Sequence, residues 1–303
     1  MRFVSFVKDA GGCPRFGALL DHNGIVDLSA PACGVERPAE YLDWFDMDTP
    51  CHQESRALVE RVSSDPAARV ELDGQGALLA NEDVLLLAPV PRPGKLICIG
   101  LNYRDHAEES GMAIPESPVV FSKFPTSVVG PSGPVVLPLG STEVDYEAEL
   151  AVVIGRRTSQ IAAEDSYAHV LGYTNLNDVS ARDFQFADGQ WQRGKSCDTF
   201  APMGTYIATT DEIPDPQALS IKLRLNGETM QDSSTDQLIF GVPELVSFLS
   251  QTITLEPGDV IATGTPPGVG FARKPPIYIH DGDRMEVEIE GLGILENPVT
   301  GQK

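Results

Sequence analysis

The sequence predicts an α+β, strand-rich protein, a small β-rich N-terminal domain followed by a larger one. Three observations carry that reading. Short apolar runs closed by Gly, Asn-Gly or Asp-Gly recur along the chain, as strands and hairpins do. Few segments hold a helical period, and they do not alternate regularly with strands, which argues against a doubly wound parallel sheet. Pro89, Pro91 and Pro93 crowd the segment ending at Gly94, where neither a helix nor a central strand can continue. This linker divides residues 1–90 from residues 95–303.

Taken in order, residues 4–7, 16–20 and 25–28 read as strands, with Asp21-His22-Asn23-Gly24 as a hairpin turn. Residues 54–62 read as a helix. His22 and His52 fall in turn-like surroundings and are expected at the surface. The cluster Asp43-Trp44-Phe45-Asp46 reads equally as core or interface. After the linker, residues 95–100 form a strand, 106–110 a short helix and 121–124 a strand end carrying Lys123. Residues 131–138 read as a loop, and 145–154 as one strand closed by Gly155. A helix over 162–170 precedes a strand over 173–177. Asn226-Gly227 closes a hairpin between 220–225 and 228–231. Residues 243–250 start with Pro, as a helical first turn tolerates. Residues 252–255, 260–263 and 285–290 complete the strands.

Composition narrows the function. The 303 residues carry a net charge of −22, which argues against nucleic acid or an anionic membrane as partner, because either needs a basic footprint. No apolar run reaches the ~20 residues of a membrane span, and the N-terminus reads as a first strand rather than a signal peptide. Cys13, Cys33, Cys51, Cys98 and Cys197 are odd in number and scattered, so free thiols and a cytoplasmic location are expected.

Chemistry concentrates in two acidic clusters. On a strand over 145–154, Asp145, Glu147 and Glu149 share a face, roughly 7 Å apart. Alone, D-x-E-x-E also reads as an acidic solvent-facing edge. A second cluster holding Asp178 and Asp183, followed by Arg193 and Lys195, turns the reading towards a cation site. Carboxylates without His or Cys suit a hard divalent ion, Mg²⁺ or Mn²⁺. His106 and Glu109 lie at i,i+3 of the short helix, where a carboxylate can orient an imidazole as a general base.

Two other stretches invite over-reading. Residues 189–196 match G-x-x-x-x-G-K-S by letter, but a phosphate loop needs a buried strand before it and a sustained helix after it. Neither is legible here, and no nucleotide is expected. Residues 263–270, rich in Gly and Pro, read as a plain turn, or as a loop offering Thr265 and backbone N–H groups to a carboxylate.

Together, G-L-N-Y-R-D-H-A-E-E at 100–109, F-S-K at 121–123, D-Y-E-A-E-L at 145–150, N-D-V-S-A-R-D-F-Q at 177–185, W-Q-R-G-K-S at 191–196 and T-G-T-P-P-G-V-G at 263–270 resemble the fumarylacetoacetate hydrolase family. The order and spacing match over roughly 95–300. The resemblance implies a mixed β-roll body, a homodimer, and a Mg²⁺ or Mn²⁺ site held by Glu147, Glu149 and Asp178. It implies His106 and Glu109 as a water-activating dyad, Lys195 as partner of a developing enolate, and Lys123, Arg182, Gln185 and Thr265 around a small anionic keto acid. The implied activity is hydrolytic cleavage of a C–C bond in an acylpyruvate. Oxaloacetate decarboxylation, hydroxyheptadienedioate isomerisation or decarboxylation, and a ureidoglycolate lyase-like reaction are the alternatives at the same metal site.

Overall fold

The computed structural model describes residues 1–20, 24–187 and 189–302. Among them, a twelve-stranded sheet runs through the molecule. The strand Ala148–Ile154 lies inside it, antiparallel to Val170–Asn177 on one side and to Val260–Ala262 on the other. Beyond Val260–Ala262 the parallel strand Leu96–Gly100 leads to the edge strand Val119–Lys123. A five-stranded sheet, built on the hairpin Ser220–Leu225 and Glu228–Ser234, packs over one face. The α+β, strand-rich reading holds in this mixed architecture.

Both faces of Ala148–Ile154 are buried, which is why its sequence is nearly all apolar rather than alternating. Leu150 and Val152 join a core with Leu223, Val287 and Leu245, supplied by the smaller sheet and the helix Val242–Ser250. Ala151 and Val153 face a second core with Phe3, Phe16 and Leu58. A carboxylate placed on this strand is therefore held inside the protein.

The first ninety residues do not stand apart. Arg2–Val7 pairs antiparallel with Ala201–Thr209, so the large sheet crosses the proline linker without a break. Trp44 and Phe45, left undecided by the sequence, are core residues, with Trp44 stacked on Phe16 at 5.1 Å. The helix read over 54–62 extends over Pro50–Ser64, because Thr49 caps it and Pro50 opens it. His22 and most of its turn lie outside the described residues. His52 is 2 % exposed rather than at the surface, since the longer helix turns it inward against Phe3.

Other elements differ for local reasons. The strand expected over 145–154 is interrupted: Val144–Asp145 pairs with Ser180–Ala181, and the long strand begins at Ala148. At the break, the N–H groups of Tyr146, Glu147 and Ala148 donate to Asp145, Asn177 and Gln231 side chains. Side-chain acceptors have replaced strand carbonyls. Ala163–His169 is a 3₁₀ helix instead of an α-helix. The loop over 131–138 contains the short strand Val135–Leu137. Residues 252–255 are a turn from which only Leu255 forms a bridge, to Thr158.

Burial lowers the His52 pKa from its usual range, despite the Trp44 carbonyl. The native state therefore favours the neutral ring, and its contribution is full above the unfolded value of about 6.5 and lost as pH falls below it. We expect His52→Phe to flatten this acid-side fall in melting temperature. Parallel pH–melting curves for the two proteins measure it; identical slopes would refute the assignment.

Candidate active site

The break at residues 146–147 aims carboxylates into the protein. Glu147, Glu149 and Asp178 bring ligand atoms within 4.8 Å of one another, all buried. Asp178 is delivered by the end of Val170–Asn177, and its N–H donates to the Glu147 carbonyl at 2.8 Å. These are the three residues expected as metal ligands, and the fold gathers them.

Cations surround the triad. Arg182 donates to Asp145 at 2.8 Å and to Glu147 at 2.6 Å. Lys195 Nζ donates to Glu147 and Asp178, each at 2.8 Å. Lys123 Nζ donates to Asp178 at 2.6 Å and to the Val179 carbonyl at 3.0 Å. Burial alone would raise the Glu147 carboxyl, but Lys195 and Arg182 outweigh it and hold it down, to about 2. Burial lowers Lys195, and the charges of Asp178 and Glu147 more than reverse that, keeping it protonated.

Glu149 is the exception. Among the described residues no cation lies within salt-bridge distance of it, and it accepts the Gly264 N–H at 2.9 Å. Burial, with the charges of Asp178 and Glu147, pushes its pKa well above the carboxylate range. Four buried carboxylates, counting Asp145, thus face three cations. A divalent ion held by oxygen donors fits this set: it would keep Glu149 ionised and supply the missing positive charge.

Two glycines make the geometry attainable. Gly264 has φ +106°, and a Cβ there would meet the Asn102 Cβ at 2.8 Å. That close approach lets its N–H reach Glu149. A Cβ on Gly194 would lie 2.6 Å from the Ala181 carbonyl oxygen, so only glycine packs the turn Gln192–Lys195 tightly enough to bury Lys195. The G-x-x-x-x-G-K-S letters fold as this turn, leaving the helix Arg182–Ala187 instead of a strand. Lys195 is spent on carboxylates, not on a phosphate.

A cavity of about 200 Å³ opens onto the triad. His106, Glu147, Glu149, Arg182, Lys195 and Gln185 all line it. His106 Nδ1 stands 3.3 Å from Glu109 Oε2. Glu109 also accepts the Gly268 N–H, which ties the short helix to the Gly-rich loop. The Gln185 amide is oriented by its oxygen, which accepts from Arg182 at 3.0 Å. Thr265 lines the cavity too, but its hydroxyl donates to the Ala148 carbonyl and accepts from Gln231.

Lys123, expected as a substrate contact, does not line the cavity as Phe121 of the same strand does; its ammonium is held by Asp178 and the Val179 carbonyl. Sequence reasoning also gave no role to Asp145, which accepts from Arg182, Gly270 and Phe271 and so joins the second cluster to the Gly-rich loop. Its place in the D-x-E-x-E pattern was the available signal. Asn102, which bonds the Thr263 and Phe240 carbonyls, left no signal beyond its motif.

Two outcomes follow. Ionising Glu149 costs the metal-free protein stability progressively as pH rises from the ordinary carboxylate range towards its raised pKa. Glu149→Gln should therefore raise the melting temperature of metal-free protein at pH about 8 while abolishing Mg²⁺ binding by calorimetry. Unchanged binding would remove Glu149 from the ligand set. Lys123→Met, which removes one of the two cations paired with the buried Asp178 carboxylate, should cost at most about 3–5 kcal/mol in denaturant unfolding; a loss confined to substrate affinity would favour the substrate role.

Residues 95–300 match the family described as fumarylacetoacetate (FAA) hydrolase C-terminal. The chain is 49 % identical over 307 residues to a mitochondrial oxaloacetate tautomerase of Bos taurus, covering 99 % of this chain and 92 % of that protein. Among solved structures, 2-hydroxyhepta-2,4-diene-1,7-dioate isomerase from Mycobacterium marinum is similar at TM-score 0.76 and 33 % identity, covering 100 % of this chain and 99 % of that one. A fumarylacetoacetate hydrolase from Exiguobacterium antarcticum is similar at TM-score 0.79 and 36 % identity, with both chains fully covered.

Proposed function

The chain belongs to the fumarylacetoacetate hydrolase family, and we propose that it interconverts the keto and enol forms of a short 2-keto diacid of the oxaloacetate type. The observation that carries this is one small cavity lined by an oriented imidazole, a lysine ammonium and two carboxylates of the acidic triad, Glu147 and Glu149. At about 200 Å³ it lies below the roughly 300–1,000 Å³ of pockets that take drug-sized ligands. The name of the Bos taurus relative supports the same reaction class. This replaces acylpyruvate hydrolysis as the leading reading.

The residues account for the proton movements. Glu109 takes the His106 Nδ1 proton into a hydrogen bond, which leaves Nε2 as the base. Nε2 removes the proton from C3. The C–H electron pair becomes the C2–C3 double bond, and the carbonyl pair moves onto oxygen. Two of the three Lys195 N–H groups are held by Glu147 and Asp178, which leaves one for that oxygen. Protonation of the oxygen completes the enol. A divalent ion held by Glu147, Glu149 and Asp178 would supply Lewis acidity towards the keto oxygen. Gln185 and Arg182 present N–H groups to a carboxylate.

Hydrolysis of an acylpyruvate is the second reading, favoured by the same dyad, which could activate water instead of a C–H bond. The homodimer expected from the resemblance belongs to the proposal, and a mitochondrial location, the one named for the Bos taurus relative, stands beside the cytoplasmic one.

Enol absorbance of oxaloacetate, followed with Mg²⁺ present, tests the proposal. Wild-type protein should accelerate its decay over buffer, and no acceleration overturns the reading. Glu109→Gln should lower the rate by about 10²–10⁴-fold, a general-base contribution, with Mg²⁺ affinity kept. If that variant spares tautomerisation and loses only acylpyruvate cleavage, the dyad serves water and hydrolysis prevails.

A further inference from the structure

Two cavities meet at the edge of the large sheet. One is the active-site cavity; the other is a groove of about 700 Å³ along Val119–Lys123. Among the described residues, only Phe121 and Trp191 line both. Their rings meet edge to face at 5.3 Å, so together they form the wall between the spaces.

The two rings are held differently. Phe121 sits in the strand, paired with Cys98, with the Lys195 ammonium 5.0 Å from its ring centre. Its position is tied to the chemistry. Trp191 sits at the mouth of the turn that carries Lys195, and its indole packs over Gly100. A Cβ on Gly100 would lie 2.7 Å from that indole. The turn itself does not depend on the indole. The Lys195 N–H donates to the Trp191 carbonyl at 3.0 Å. Ser122 donates to Gln192 at 3.1 Å, and the Phe124 N–H donates to Ser196 at 3.1 Å. Those bonds survive loss of the ring.

We infer that the Trp191 indole sets the maximum length of the acid, closing the active-site cavity against the edge groove. With the ring present the cavity takes a short diacid. Without it the two spaces join, and the tail of a longer 2-oxo diacid runs into the groove, whose Val119, Val120 and Ile97 walls suit methylene groups. This rests on the keto-acid reading of the site, and it concerns a residue that selects substrate rather than one that reacts.

The test is binding of 2-oxo diacids from 2-oxobutanedioate to 2-oxoheptanedioate, by calorimetry with saturating Mg²⁺. Wild-type affinity should fall about tenfold or more for each methylene beyond the cutoff. Trp191→Ala should abolish that fall and leave Mg²⁺ affinity unchanged. Gly100→Ala, which must displace the ring, should move the cutoff in the wild type and have no effect once Trp191→Ala has removed the ring. The same length profile in wild type and Trp191→Ala, or an equal Gly100→Ala effect in both backgrounds, overturns the inference. Binding without oxaloacetate turnover overturns the functional reading alone, whereas turnover with an unchanged profile overturns the gate alone. If no diacid binds, both fall.

Discussion

The structure depends on a buried charge cluster that its own cations do not quite neutralise. Asp145, Glu147, Glu149 and Asp178 are all at most 7 % exposed, as are Lys123, Arg182 and Lys195. Desolvating so many ions is costly unless each finds a partner with good geometry. Six of them do, through salt bridges at 2.6–2.8 Å. Glu149 does not, and its raised pKa expresses the deficit. A divalent cation would convert one uncompensated negative charge into one net positive charge, which is also the sign that would draw the proposed anionic diacid into a protein of charge −22.

Much of the architecture exists to hold that cluster. Ala148–Ile154 is covered on both faces, so its carboxylate stays inside the protein and meets only the active-site cavity. Asp145 spans the second acidic segment and the Gly-rich loop, with five donors converging on its two oxygens. Glu109 reaches the same loop from the other side. The loop over 263–270, which read as a turn, is therefore the meeting point of Glu109, Glu149 and Asp145. Rigid support of this kind keeps a reactive constellation in place without reorganisation during the reaction.

Parts of this were legible because they depend on local rules. The Asn226-Gly227 hairpin, the strand Leu96–Gly100 and the helix beginning near Pro243 follow from turn chemistry and apolar pattern, and they stand in the structure. The interruption at residues 146–147 was not legible, because its cause is acceptors from Asn177 and Gln231, 30 and 83 residues away. His52 was misplaced because a turn-like sequence hid a Thr49 cap that starts the helix earlier. The ion pair of Lys123 with Asp178 was not legible either, because the two are 55 residues apart and meet only through the fold.

By itself, the sequence determined which chemical groups would be present and in what order: three carboxylates for a hard cation, an imidazole with an acidic neighbour, a lysine after glycine. Those are properties of residue type and of the period-two and i,i+3 relations within one element. Only the tertiary structure decided the pairing: Arg182 with Asp145 and Glu147, Lys123 with Asp178, Glu149 left without a cation, and Trp191 set between two cavities. It also decided that the first ninety residues join the large sheet through Arg2–Val7 and Ala201–Thr209. A strand's own pattern states which side chains share a face; which distant strand or charge meets that face is fixed by register and close packing across the whole chain.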